Sequence, residues 1–243
     1  MSLDQCADQF VQALSPREAI VGLSTRADDP DSRLRHLASG LPKRRVDLES
    51  TLTTRPQVVI RYWGGDPRLV RALEMRGVRV VTLSEASDFD GVRFNIRSVA
   101  LALEKPSAGE TLIRDMDQRL ARAAGTWKGM SALYLTPGGA TSGPGTLVDA
   151  ILRAAGMTNA EVRPGFQTVS LEQMALNRPP ALVLGFFDTF QRSGDHWGVG
   201  GHRILRTAVK DRAVASLPGS MLGCPDAGAA DAVERLAAQA GRP

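Results

Sequence analysis

Aromatic side chains are scarce in this chain, at 5% of 243 residues, yet two pairs of them stand in matching places. Tyr62-Trp63 follows the apolar run Val58-Val59-Ile60, and Phe186-Phe187 follows Leu182-Val183-Leu184. Open α/β sheets bind ligands at the C-terminal ends of their strands, so aromatics there suit stacking on a flat or hydrophobic ligand. The other chemistry-bearing residues do not assemble into a catalytic set. His36, His196 and His202 are scattered and match no metal spacing. No Gly-x-Ser-x-Gly elbow is present. The glycine-rich segment Pro137–Thr146 lies where a phosphate loop would, but it lacks Gly-Lys-Ser/Thr and the Gly-x-Gly-x-x-Gly spacing. It reads as a turn that lets a ligand approach the backbone. These residue types point to binding without catalysis. The competing readings are a two-lobed α/β enzyme, such as a chelatase or sugar-nucleotide transferase, and a scaffold with no small ligand and no exposed aromatics.

The elements that position these aromatics recur. Asp47-Leu48-Glu49, five residues, Arg55-Pro56 and the first apolar run are echoed by Ser170-Leu171-Glu172, five residues, Arg178-Pro179 and the second run. The period is about half the chain, far longer than a solenoid repeat. It implies one helix-strand unit used once in each of two lobes. Asp47 is an N-cap, and Glu49 and Glu172 stand in first turns, where the helix dipole favours an acid. Continuous apolar runs mark parallel strands covered on both faces. Helices are expected at 4–14, 67–76, 92–104, 107–124, 146–155, 202–208 and 227–240. Strands are expected at 19–23, 58–62, 78–83, 132–136, 182–184 and 213–217. A polar, Arg-rich loop over 26–45 and the segment 137–145 read as irregular. The resulting fold class is α/β: two Rossmann-like lobes with mostly parallel sheets, 1–104 and 127–243, joined by one long helix at 105–126.

Composition bounds the partners. The net charge is +4, with Arg spread along the chain and no basic run interleaved with aromatics. That is a slightly basic surface and does not support nucleic-acid binding. No apolar stretch reaches the ~20 residues that span a bilayer. Met1-Ser2-Leu3 leads straight into Asp4, so a signal peptide is not part of this sequence. Ser2-Leu3 reads as the end of a strand. Cys6 and Cys224 lack zinc spacing; they read as two separate buried thiols, as a long-range disulfide, or, for Cys6, as a ligand contact.

Four segments in order resemble the periplasmic substrate-binding proteins of ABC importers for iron-siderophores, haem and cobalamin. They are Ser2–Gln9, Val46–Glu49 through Arg55–Ile60, Gly143–Leu147 through Ala155-Gly156, and Ala208–Lys210 through Leu217-Pro218. The resemblance implies a periplasmic monomer. It implies no cofactor, only a cargo: a ferric siderophore, haem or cobalamin held in the cleft between lobes and delivered to a permease dimer. Ligand-facing aromatics then match Tyr62 and Phe166, with Trp63 adjacent and Trp197 available for a planar corrinoid or porphyrin. Arg61 or the Arg35–Arg45 loop would meet a catecholate, and Thr141 and Ser142 match a cleft segment. One acid per lobe would dock on permease arginines. Glu172 matches in the second lobe. In the first, Asp66 is the nearest match, with Arg68 beside it and Glu49 as fallback.

Overall fold

In the computed structural model, residues 1–170, 172, 174, 181–188 and 202–241 are described. They are mixed α/β with mostly parallel pairing, and they divide into two compact units. The first is Met1–Glu85, Asp90–Asp115 and Pro225–Ala227. The second is Ala86–Phe89, Met116–Cys224 and Gly228–Pro243.

The first unit is built on α1 (Gln5–Leu14), β1 (Leu23–Ser24), β2 (Lys43–Arg44), α2 (Leu48–Thr53), β3 (Val58–Arg61), α3 (Pro67–Glu74), β4 (Arg79–Thr82) and α4 (Phe89–Ala102). Strands β1 and β2 pair in parallel, as do β3 and β4. Residues 1–3 join the two pairs. The Ser2 amide donates to Gly22 O at 3.1 Å, and the Leu3 amide donates to Ile60 O at 3.0 Å. Ser2 is therefore a strand end, as its apolar neighbour suggests, lying parallel to Ile60. Helix α3 starts where Asp66 caps it and Pro67 presets φ. It buries Leu69 and Leu73, one turn apart, against Val59, Val78 and Leu3. Helix α5 (Pro106–Ala123) begins in this unit and ends in the second, the division falling between Asp115 and Met116.

The second unit contains β5 (Ser131–Leu135), β6 (Ala140–Ser142), α6 (Leu147–Ala154), β7 (Thr158–Asn159), β8 (Phe166–Thr168), β9 (Leu182–Gly185), α7 (Arg203–Arg212), β10 (Ala213–Leu217) and α8 (Gly228–Gln239). Its main sheet is parallel, in the order β10-β9-β5-β7. Residues of β5 alternate between two cores: Ala132 and Tyr134 face one, Leu133 and Leu135 the other. That two-sided burial is why the strand is apolar throughout. At its edge, Gly185 admits the Tyr134 ring, since a Cβ there would stand 2.2 Å from the Tyr134 hydroxyl. Helix α5 is tied to α8 by Arg119, whose Nε donates to Glu234 at 2.9 Å and whose guanidinium also pairs with Asp231.

Three sequence expectations change. Residues 17–19 form a 3₁₀ turn, so β1 starts only at Leu23. Lys43-Arg44, inside the supposed loop, is a strand beside β1. Ala140–Ser142 is also a strand, paired antiparallel with β8. Each of these strands is two or three residues long and depends on a partner distant in sequence, so no local periodicity announces it.

Asp8 gives the fold a pH-dependent element. Its buried carboxylate accepts from the Ser24 amide at 2.9 Å, the Ser24 hydroxyl at 2.6 Å and the Ser2 hydroxyl. Burial pushes its pKa up from the usual carboxylate value, against those hydrogen bonds. A raised folded pKa means its contribution is fully present below the unfolded value and is lost as pH rises through the folded one. Asp8→Asn should therefore flatten the fall in stability on the alkaline side of pH 4, read by denaturant unfolding at several pH values. Asp8→Ala should cost about 3 kcal/mol or more by orphaning buried donors.

Candidate functional site

The first unit's aromatic turn is organised by one buried acid. Asp4 caps α1, its Oδ1 accepting from the Ala7 amide at 2.9 Å. Its Oδ2 accepts from three successive amides at the end of β3: Tyr62 at 2.6 Å, Trp63 at 3.2 Å and Gly64 at 2.9 Å. The carboxylate is 1% exposed, so these bonds are made out of water. Gly64 is required for this approach, because a Cβ would lie 2.3 Å from the Leu3 carbonyl oxygen. The turn presents Trp63 at 53% exposure and leaves Tyr62 half-buried. A scaffold with no exposed aromatics does not match this. Burial holds the Tyr62 phenol above its usual pKa, with the Glu85 and Asp4 carboxylates adding to the shift. Tyr62 is a neutral hydroxyl donor at physiological pH.

Arg61 is engaged with its own turn. Its Nε donates to Gly64 O at 2.6 Å and its Nη2 to Gly65 O at 3.0 Å, clamping the same turn from the other side. Cys6 is corrected outright. It is 3% exposed, and the chain's two cysteines, Cys6 and Cys224, are both disulfide-bonded, so neither offers a thiol. The disulfide reading replaces that of two separate thiols.

In the second unit the cleft-segment residues are buried. Ser142 is fully buried, and its hydroxyl donates to Thr146 Oγ1 at 2.7 Å beneath the N-terminus of α6. Thr141 is 1% exposed, with its hydroxyl unpartnered. Neither side chain reaches solvent, because β6 is a strand paired with β8 and packed beside β5, not an open turn. Its partner β8 does reach out: Phe166, in register with Ser142, is 67% exposed. Phe186 and Phe187 are half-buried at the end of β9, and Phe186 adopts φ +64, a conformation bulky side chains rarely take. Trp197 and His196 lie outside the described residues. Among the described residues no three His, Cys, Asp or Glu side chains come together as a metal site.

The three acids assigned to docking differ in what they do locally. Glu172 and Glu49 are exposed. Asp66 is exposed too, but its Oδ1 accepts from the Leu69 amide at 2.8 Å as the cap of α3. Asp4 is the residue sequence reasoning missed. An acid immediately before a helical stretch signals a cap, but its three further bonds depend on a turn about sixty residues on.

The family model described as "Periplasmic binding protein" matches residues 1–219. No curated protein matches the chain. Among solved structures, the chain is similar to the apo form of a periplasmic haem-binding protein, RhuT, from Roseiflexus sp. RS-1. The TM-score is 0.75 and the identity 23%, covering 98% of this chain and 95% of that one. It is also similar to a periplasmic vitamin B12-binding protein, BtuF, of Vibrio cholerae, with TM-score 0.67, 21% identity and coverage of 98% and 94%. A third is from an ABC-type Fe3+-hydroxamate transport system of Saccharomonospora viridis DSM 43017, with TM-score 0.69, 20% identity and coverage of 99% and 92%. One fold thus carries three ligand chemistries, and the side chains of this chain must decide among them.

Asp4→Asn is the informative substitution at the turn. Whichever way the amide is oriented, its NH₂ faces either the Ala7 amide or the three amides of the turn. Donor would then meet donor in a buried site, so the isosteric change should cost on the order of 3 kcal/mol, nearly as much as Asp4→Ala. Denaturant unfolding measures the loss, and Trp63 fluorescence anisotropy should fall in the native state as the turn loosens. An Asn variant as stable as wild type would contradict this account.

Proposed function

Because the chain belongs to the periplasmic binding protein family, we propose that it is the substrate-binding component of an ABC importer for a metal chelate, with a flat haem- or cobalamin-like macrocycle as preferred cargo. It works as a periplasmic monomer that hands its cargo to the permease. The family and its solved relatives are binding proteins of transport systems, not enzymes, so the enzyme reading is set aside. Among the described residues no helix is long and apolar enough to cross a membrane.

The observation that carries the reading is Trp63, exposed on a turn fixed by Asp4 at the C-terminal end of β3. A fixed aromatic face stacks on a planar ligand at little cost in conformational entropy. The local charge favours a macrocycle over a tricatecholate. Arg61 is bound to its own turn, and the carboxylates acting on Tyr62 are negative, so a polyanionic ferric catecholate meets repulsion there. Tyr62 offers a neutral hydroxyl in place of a cation. Phe166 is the exposed aromatic candidate of the second unit. For docking, Glu172 is the second-unit acid, and Asp66 or Glu49 the first-unit acid.

A thermal-shift panel of haemin, cyanocobalamin, a ferric hydroxamate and a ferric tricatecholate tests the cargo. A true ligand at a hundredfold its Kd stabilises by about 2.7 kcal/mol. Haemin or cyanocobalamin should do so and quench tryptophan emission, and Trp63→Leu should lose most of the quench and at least tenfold in affinity. A panel in which only the tricatecholate shifts the transition would sink the macrocycle reading.

Docking is tested by charge reversal. Exposed acids contribute only ~0–1 kcal/mol to an isolated fold, so Glu172→Arg should leave unfolding and cargo affinity unchanged while transport in reconstituted vesicles drops. For Asp66 the replacement should be Asn, which keeps the α3 cap, because Asp66→Ala forfeits about 1 kcal/mol whatever its role in transport. Transport at the wild-type rate with Glu172→Arg and Asp66→Asn combined would remove both from the permease contact.

A further inference from the structure

A pocket of about 180 Å³ opens in the second unit between α7 and the ends of β5 and β9. Leu135 and Leu205, each 1% exposed, form its apolar floor, and Phe187 and Val209 form its walls. Thr136 is at the rim, but its hydroxyl is already bonded to Ala140, accepting from the amide at 3.0 Å. Two cations complete the lining: Arg206 and Lys210, one helical turn apart on α7. Both are exposed, and among the described residues neither has an acidic partner. Asp188, the acid next to Phe187 in sequence, accepts from the Gly219 amide at 3.0 Å.

We infer that this pocket binds a small aromatic carboxylate, its ring on the Leu135–Leu205 floor and its carboxylate between Arg206 and Lys210. Size sets the first limit. An engineered apolar cavity of about 150 Å³ holds benzene, whereas sites for whole drug-sized ligands run from about 300 Å³ upward. This space takes one substituted ring and excludes an entire chelate. Charge sets the second. Two cations with no acidic partner among the described residues, at the mouth of an apolar pocket, attract an anion, and the spacing of one turn lets both reach a single carboxylate. An amine of the same shape is repelled. A neutral ring keeps only the apolar contact. The inference does not use the macrocycle reading, and neither depends on the other.

The probe is benzoate, followed by methyl NMR of Leu135, Leu205 and Val209, with benzamide as the neutral isostere. Benzoate should shift those methyls with a Kd on the order of 1 mM, the range expected for so small a ligand. It should bind at least tenfold more tightly than benzamide, and added salt should narrow that gap. Arg206→Gln with Lys210→Gln should bring benzoate down to the benzamide level while the unfolding midpoint stays put, since both side chains are exposed. Val209→Phe, which fills the pocket, should abolish binding of both. The inference is overturned if benzamide and benzoate bind wild type equally, if the double variant keeps benzoate affinity, or if tens-of-millimolar benzoate moves none of the three methyls.

Discussion

One buried carboxylate fixes the aromatic turn of the first unit. Asp4 collects the Ala7 amide on one oxygen and the Tyr62, Trp63 and Gly64 amides on the other. A lone buried charge would be costly. Four donors from backbone already held in place offset that cost, and the charge in turn dictates where the backbone goes. The end of β3 must bend around Oδ2, residue 64 must be glycine to come close enough, and Trp63 is left pointing outward. Arg61 closes the same turn from its carbonyl side. The aromatic surface is thus a by-product of satisfying an anion, and it is stiff for that reason.

The second unit reaches a similar end by packing. Its sheet is parallel and its central strands β5 and β9 are covered on both faces, so those strands are apolar and side chains turn outward at their termini. Gly185 lets Tyr134 seal the inner core, and Phe186 takes a left-handed conformation just beyond it. Phe187 is carried out of the core to the rim that α7 shares with Arg206 and Lys210. The two units therefore display their aromatics by different physics, one by hydrogen bonds to a charge and the other by a backbone kink after a tightly packed strand.

What could be read from sequence follows from this contrast. The parallel strands β3, β5 and β9 were legible because burial writes itself as an uninterrupted apolar run, and β4 and β10 were legible although they are more exposed. The cap Asp47 was legible, because a cap and its helix are neighbours; Asp66 caps α3 in the same way but was read only as a docking acid. Tyr62 and Trp63 stood out as rare residues at a strand end. The residues hardest to read are those whose contacts appear only once the chain has folded, near in sequence or far. Thr141 and Ser142 look like an open Gly-rich turn until β8 closes over them. Arg61 looks like a free cation until the carbonyls of Gly64 and Gly65 are folded back onto it. Asp4 looks like an ordinary polar start to a helix. Pairing in three dimensions, not composition, assigned each of these.

The bonds from Asp4 to the turn join residues 58 to 60 apart in sequence. Contacts of that range form only after the intervening chain has paid its loop-closure entropy, so they belong to late stages of folding. Until Asp4 meets the end of β3, the amides of Tyr62, Trp63 and Gly64 lack the acceptor that orders their turn. An ordered Tyr62–Trp63 turn is therefore a sign that the N-terminal residues have already reached the end of β3.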